Sequence, residues 1–287
     1  MMNRWEKDET HSTLRAFCHP VDADLIRMLD NPVTRIAVGK LVELGTEVSN
    51  GQEIASAVPV TEENEPELNA ILEDCVRLLR IPKPYMVLSG TEGFNACAMG
   101  NDDHPYIMLG STLVHLMDME QLRFVIGHEC GHIAMGHMVY HNAANLLALF
   151  AQRLPAIGTI AQSTAGLALN AWSRRSEITA DRAGMLCCGS ARTAIKALMQ
   201  IESMFVSASN INTEAYMQES RTYREGSLLR RIGEFGANHP MTSKRMECIQ
   251  LFEQSSLLFR LCGEEAPEGS LSDRDLKNRV EAVLRVI

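Results

Sequence analysis

Two histidines, His128 and His132, stand four positions apart in the segment His-Glu-Cys-Gly-His, with Glu129 between them. In an α-helix, residues i and i+4 lie about 40° apart around the axis and about 6 Å apart along it, so both imidazoles can reach one metal ion. Glu129 lies one residue further round the helix, where it can accept a proton from a metal-activated water. The spacing therefore predicts a zinc site with its own general base, which is the chemistry of peptide-bond hydrolysis.

The residues around this motif must form a helix for that geometry to hold. Acidic residues stand at the start of the stretch 118–137, and apolar residues recur at helical spacing: Leu122, Val125, Ile126 and Ile133. Gly127 and Gly131 each cost about 1 kcal/mol of helix propensity, so we expect another backbone to pass close to this helix. The competing interpretation is an ordinary core helix with two partly buried histidines.

A catalytic zinc normally has three protein ligands, so a further ligand must come from elsewhere in the chain. The extended motif with a third histidine is not present, because Met135 and Met138 occupy the positions where it requires glycine and histidine. His137 and His141 would lie on other faces of a continuous helix. We therefore interpret His137 as structural, or as a support for one of the ligands.

A second helix offers a glutamate instead. Glu177 and Asp181 stand one turn apart on one helix face. Glu177 is the candidate third ligand, and Asp181 is placed to accept the free ring N–H of a ligating histidine. A solvated acidic face is the alternative interpretation, but the small residues Ala180, Ala183 and Gly184 favour tight packing against another helix.

Three motifs in order along the chain resemble one family of metallopeptidases. They are Gly-His-Glu-Cys-Gly-His at 127–132, Glu-Ile-Thr-Ala-Asp at 177–181 and Asn-His-Pro-Met-Thr-Ser-Lys-Arg at 238–245. The chain is similar to the gluzincins that include the type I CAAX prenyl proteases and the HtpX-type quality-control peptidases. The resemblance implies an α+β, mainly helical, zincin-like fold with a small mixed sheet packed on the metal-binding helix.

The resemblance also implies a role for each residue of the metal site. His128, His132 and Glu177 would hold one Zn²⁺ per chain. Glu129 would be the general base of the reaction. Asp181 would be the carboxylate that supports a ligand, and we group it with the catalytic residues.

The polar surroundings of the metal are predicted less specifically. His239 would stabilise the oxyanion or occupy the open position of the metal, or, since it stands between an asparagine and a proline, simply begin a helix. Arg245 is a candidate for an orienting ion pair. Tyr216 and Tyr223 are candidate oxyanion donors by residue type alone.

Composition restricts the class of protein and of partner. The 287 residues, 46% hydrophobic and 22% charged, are enough for a sizeable core. A net charge of -9 argues against nucleic acid or an anionic membrane as the main partner. Eight dispersed cysteines without a C-x-x-C pair indicate reduced thiols. Because the first ten residues contain no apolar leader, we expect a cytoplasmic protein.

The order of patterns along the chain predicts its organisation. We expect a helical extension, a zinc peptidase domain and a helical segment, over residues 1–62, 63–260 and 261–287. The expected elements are helical patterns over 21–50, an amphipathic helix over 64–80, strands at 86–88, 95–100 and 106–110, a polar, mobile section over 207–227 and a last helix over 272–287.

The apolar stretch 142–172 lies where integral members of the family carry transmembrane segments. Polar breaks at 152–155 and 162–164 leave no apolar run long enough to cross a bilayer, so we expect no transmembrane span and a soluble helical hairpin. Peripheral membrane contact or self-association is the alternative. A prenylated substrate is disfavoured, because family members that process one keep their site inside the bilayer.

These observations lead to two hypotheses of different classes. The first is a zinc endopeptidase that binds an extended peptide or unfolded protein along the strand at 95–99, without a defined cleavage motif. The enzyme could be latent, with His239 or the section 207–227 covering the metal. The second is a non-catalytic zinc-binding scaffold of the same fold, which would have no need of Glu129. The sequence does not indicate an oligomeric state.

Overall fold

The computed structural model describes residues 15–29, 56–90, 93–100, 104–138, 140–141, 164–203, 212–225 and 242–285. After a 3-10 turn at Arg15–Phe17, its helices are α1 Pro20–Leu29, α2 Pro66–Leu79, α3 Ser111–Leu116, α4 Met119–Met135, α5 Thr164–Cys188, α6 Ala191–Ser203, α7 Thr213–Glu225, α8 Thr242–Glu253, α9 Ser256–Cys262 and α10 Asp273–Leu284. Its strands are β1 Val58–Pro59, β2 Tyr85–Ser89, β3 Ala96–Gly100 and β4 Pro105–Gly110. The helical pattern beyond residue 29, the stretch 142–163 and His239 lie outside the described residues.

In the described part of the chain, the strands form one mixed sheet in the order β1-β2-β4-β3. β2 and β4 are parallel, with Tyr85 opposite Tyr106, and β3 is antiparallel to β4, with Ala98 opposite Ile107. β3 therefore lies at an edge, and α4 packs against it. The three predicted strands and the mainly helical α+β fold with a small mixed sheet are confirmed, whereas β1 was not predicted.

Helix α4 has a capping box at its start and a left-handed glycine at its end. Asp118 accepts a hydrogen bond from the Gln121 backbone N–H at 2.8 Å, and the Gln121 side chain accepts one from the Asp118 N–H at 3.0 Å. The helix ends at Met135 because Gly136 adopts φ 66° and turns the chain away. The predicted helix ran to His137, which therefore lies beyond the true end.

Helices α4 and α5 pack with their backbones close together. A Cβ on Gly131 would lie 2.6 Å from the Ala183 Cβ and 3.2 Å from the Ala180 Cα. A Cβ on Gly127 would lie 2.6 Å from the Cys187 Cβ. Both distances of 2.6 Å are too short for any real side chain, so the expected close approach of a second backbone is confirmed.

The amphipathic helix α2 packs against another side of α4. It was predicted over 64–80; it begins at Pro66, two residues later, and ends before Arg80, which takes a left-handed conformation with φ 50°. Its apolar face is buried: Leu68, Ile71, Leu72, Cys75 and Leu79. The hydrophobic core thus surrounds α4, which holds the candidate site.

Later helices add to the same core. The predicted last helix is α10, which buries Leu276, Val280 and Leu284 and packs on α8. Within the predicted polar section 207–227, residues Thr213–Glu225 form the polar helix α7, which was not predicted and packs against α8. α7 buries Met217 among mostly polar neighbours, and one apolar anchor does not give a helical hydrophobic pattern.

Among the described helices, none combines the length and the apolar composition that crossing a membrane requires.

His19 is a fully buried histidine at the start of α1. Its Nδ1 accepts the Val21 backbone N–H at 3.3 Å. Burial, reinforced by the charges of Arg182 and Arg175, lowers the pKa of His19 from 6.5 to about 3. Its Nε2 lies 3.5 Å from Glu281, but that carboxylate is already paired with Arg175 at 2.5 Å. His19 is therefore neutral at physiological pH.

Acid should destabilise the protein through His19. Below pH 6.5, His19 of the unfolded chain binds a proton, whereas His19 of the folded protein binds one only as the pH approaches 3. The contribution of neutral His19 to stability is therefore present above pH 6.5 and is lost as the pH falls. We expect His19→Asn, which can still accept the Val21 N–H, to reduce the loss of unfolding free energy between pH 7.5 and 5 by about 2 kcal/mol. Urea unfolding of metal-free protein measures this difference, and equal losses in both proteins would contradict it.

Candidate metal centre

Three side chains from α4 and α5 place their donor atoms close together. The Nε2 atoms of His128 and His132 lie 3.1 Å apart. Glu177 places one oxygen 3.6 Å from His128 Nε2 and the other 3.5 Å from His132 Nε2. Atoms bound about 2.0–2.2 Å from a tetrahedral zinc stand about 3.3–3.6 Å from one another. The three side chains, all buried, therefore have the donor chemistry and nearly the spacing of a zinc site.

His128 receives its orientation from Asp181. Its Nδ1 lies 3.0 Å from Asp181 Oδ1, so Nδ1 carries the proton and the Nε2 lone pair faces the other two donors. Burial acts to lower the pKa of His128, but the hydrogen bond to Asp181 and the negative charge of Glu177 outweigh it and raise the pKa. A proton therefore competes with a metal for this ring.

Arg245 contacts both carboxylates that flank His128. Its Nε and Nη2 donate to Asp181 at 2.8 and 2.6 Å, and its Nη1 lies 3.2 Å from a Glu177 oxygen. Burial would raise the pKa of Asp181, but the charge of Arg245 and this hydrogen bonding hold it below the ordinary value. The structure thus places Arg245 where an orienting ion pair was expected.

His132 contacts a second histidine on its far side. Its Nδ1 lies 2.9 Å from His137 Nδ1. The helical projection put His137 on another face of α4, but the turn at Gly136 brings it back beside His132. His137 Nε2 in turn lies 3.1 Å from Asp22 Oδ2 on α1. Burial lowers the pKa of His132 to about 4, which keeps its ring neutral.

His141 also faces the site, contrary to the helical projection. It lines the same cleft, with its Nε2 2.7 Å from the Ser176 hydroxyl. Ring nitrogens of His132, His137 and His141 lie within 4.8 Å of one another and form a second group that could hold a metal. The 2.9 Å between the His132 and His137 Nδ1 atoms departs further from the separation of two zinc ligands than the 3.1 Å between His128 and His132 does, and this second group contains no carboxylate.

Glu129 faces a cleft of about 570 Å³ beside the three donors. Residues 96–99 of β3 form one wall, and α4 and α5 form others. Burial raises the pKa of Glu129, opposed by the charge of His128 and by a hydrogen bond from the Ala98 backbone. A carboxylate with a raised pKa is suited to hold a proton during a reaction near neutral pH.

Of the three remaining candidates, His239, Tyr216 and Tyr223, only Tyr216 has a described side chain. His239 lies outside the described residues, and so does the side chain of Tyr223. Tyr216 lies on α7, packed against the core, and is not among the described residues that line the cleft. Sequence reasoning missed Asp22, because a single aspartate far from the motifs gives no signal.

Comparison with known proteins decides the family. Residues 62–252, about two thirds of the chain, match the family model for peptidase family M48. The chain belongs to peptidase family M48. It is therefore a peptide-bond hydrolase with a zincin-like domain, and the resemblance inferred from the three motifs is confirmed.

Individual relatives of this M48 peptidase are also named as a metallopeptidase or as proteases. It is 27% identical over 252 residues to the plastoglobule-localized metallopeptidase 48 of Arabidopsis thaliana chloroplasts, an alignment that covers 83% of the chain and 72% of that relative. It is 29% identical over 221 residues to an HtpX protease homolog of Pyrococcus abyssi, covering 67% and 75%. The alignment to an HtpX homolog of Paenarthrobacter aurescens, 30% over 174 residues, covers 52% and 58%.

Gly131→Ala should separate the two helices of the M48 site. We expect it to lower the free energy of unfolding by about 1–3 kcal/mol, because the new Cβ overlaps Ala183, although alanine gains about 1 kcal/mol of helix propensity. Metal content should fall as Glu177 moves away. The matched control is Gly90→Ala, whose Cβ would meet nothing within 4 Å. Urea unfolding and elemental analysis measure both effects, and wild-type stability with full metal content would contradict the packing argument.

Arg245→Met should leave two neighbouring carboxylates buried without their cation. We expect the metal-free protein to lose about 3–5 kcal/mol of unfolding free energy. The matched control is Arg221→Met, because Arg221 pairs with Glu247 at 3.0 Å while 49% exposed, and such a surface pair contributes about 1 kcal/mol or less. Equal losses in the two variants, measured by urea unfolding without metal, would contradict the structural importance of Arg245.

Proposed function

We propose that the chain is a zinc-dependent endopeptidase in which His128, His132 and Glu177 hold one zinc ion and Glu129 is the general base. The observation that carries the proposal is the meeting of two imidazole nitrogens and a carboxylate within 3.1–3.6 Å of one another, beside Glu129 in one cleft. Two nitrogens and one oxygen are a usual donor set for catalytic zinc. When bound, zinc supplies a Lewis acid that polarises the scissile carbonyl and lowers the pKa of water.

Glu129 moves the proton in this proposal. Its carboxylate accepts a proton from the attacking water and passes it to the leaving amine. Burial supports this role, because a raised pKa lets the side chain keep the proton between the two steps. The hydrogen bond from the Ala98 backbone holds the carboxylate against β3.

The other buried polar groups hold the ligands in place. Asp181 fixes His128 in the tautomer that presents Nε2 to the metal. Arg245 contacts both Glu177 and Asp181. Its guanidinium therefore orients the proposed ligand Glu177 and also Asp181, the carboxylate that orients the ligand His128. His239 stays our prediction for the oxyanion donor, on the family resemblance alone.

The substrate class follows from the position of β3. This strand lies at an edge of the described sheet, and residues 96–99 line the cleft next to Glu129. We propose that an extended peptide pairs with β3, as in other cases of strand addition. Backbone pairing gives little sequence selectivity, which suits peptides and unfolded proteins. A cytoplasmic location stays a prediction.

Two carboxylate variants test the proposal. Glu129→Gln should keep one zinc per chain and lower the cleavage of casein by about 10²- to 10⁴-fold, because only the proton transfer is removed. Glu177→Ala should lose zinc, because the third ligand is gone. The matched control is Glu120→Gln, which removes an exposed carboxylate from the first turn of the same helix. Elemental analysis and a casein assay measure the outcome.

The same experiment separates the enzyme from a zinc-binding scaffold. Wild-type cleavage by Glu129→Gln would contradict the assigned base. A wild type that holds zinc without chelator-sensitive cleavage would favour the scaffold, since zinc binding alone does not need Glu129.

A further inference from the structure

Helix α1 lies outside the segment that matches the peptidase family, yet it brings a carboxylate close to the proposed metal site. Asp22 on α1 is fully buried. The Trp172 indole N–H donates to its Oδ1 at 2.8 Å, and the Thr179 hydroxyl donates to its Oδ2 at 2.6 Å. The Cys18 thiol also donates to Oδ2, at 3.6 Å. The remaining neighbour is His137, whose Nε2 lies 3.1 Å from Oδ2. Two donors from α5 thus hold the carboxylate facing an imidazole.

His137 connects this carboxylate to His132. The two Nδ1 atoms lie 2.9 Å apart, so one of them donates a proton and the other accepts it. If His132 presents the Nε2 lone pair to a metal, its neutral ring carries the proton on Nδ1 and donates to His137. The proton of a neutral His137 is then on Nε2, the atom that faces Asp22.

One arrangement of protons therefore satisfies the whole chain of contacts. Each ring donates away from the metal, from His132 to His137 and from His137 to Asp22. The last contact is bent, because the His137 Nε2–H does not point directly at the oxygen, so the attraction is mainly that of a negative charge for a polar N–H. The N–H groups of both rings therefore point the same way, away from the metal and toward Asp22.

We propose that Asp22 is a positioning residue for the metal ligand His132, acting through His137. The inference rests on the proposed function, because His132 must hold the metal. It gives each ligating histidine its own carboxylate, Asp181 directly for His128 and Asp22 through one imidazole for His132. Such partners fix the ring orientation of a ligand and increase its basicity. Helix α1 is then a part of the active site.

The test is the zinc affinity of the full chain, measured by competition with a chelator. Asp22→Asn keeps one oxygen, which can still accept the Trp172 N–H. It replaces Oδ2, the atom that faces Thr179 and His137, with an NH2 group and removes the negative charge. We expect it to bind zinc about 10-fold more weakly than wild type. The matched control is Asp24→Asn, the same change at an exposed position of the same helix, which should bind as wild type does. Urea unfolding of metal-free protein checks that each variant folds.

A double-mutant cycle distinguishes positioning from a general effect on the fold. In the background of His137→Phe, adding Asp22→Asn should change the zinc affinity by less than about 2-fold, because the connection is already broken. An undiminished loss in that background would overturn the inference. So would a zinc affinity of Asp22→Asn within about 2-fold of Asp24→Asn, or two zinc ions per wild-type chain, since His137 would then itself hold a metal.

Failure of the inference can be told from failure of the proposed function. Zinc binding that is lost in Glu177→Ala but unchanged in Asp22→Asn would overturn the inference alone. A wild type that binds no zinc would overturn both.

Discussion

Helices α4 and α5 touch through their backbones, and the candidate site depends on that contact. Gly131 has no Cβ, so the Ala180 Cα comes within 3.2 Å of the place where one would stand. At this separation a glutamate side chain on α5 is long enough to reach two histidines on α4. A bulkier pair of facing residues would move α5, and Glu177 with it, away from His128 and His132.

With Glu129 ionised and both ligating histidines neutral, the charges of the site balance when a divalent cation is counted. Glu129, Glu177 and Asp181 are buried carboxylates, and Arg245 is the guanidinium that contacts the last two. One guanidinium and one divalent cation together neutralise three carboxylates. Because unpaired charges in a protein interior are costly, this balance favours a metal at the donors and a folded state that is more stable with metal than without it.

Local spacing predicted most of this site, and tertiary packing determined the rest. The i, i+4 histidines, the i, i+4 pair of Glu177 and Asp181 and the glycines of α4 are features of single helices, so the sequence indicated them directly. The position of His137 was predicted wrongly, because it depends on a single left-handed residue at the end of α4. Asp22 could not be predicted, since its role exists only where α1 packs against α5, more than a hundred residues further along the chain.

Crystals of the full chain grown with zinc, measured at the zinc absorption edge, show whether His128, His132 and Glu177 bind one ion together. We expect one anomalous peak per chain, about 2.0–2.2 Å from Nε2 of His128, Nε2 of His132 and a carboxylate oxygen of Glu177. A peak among His132, His137 and His141, or no peak at all, would contradict it.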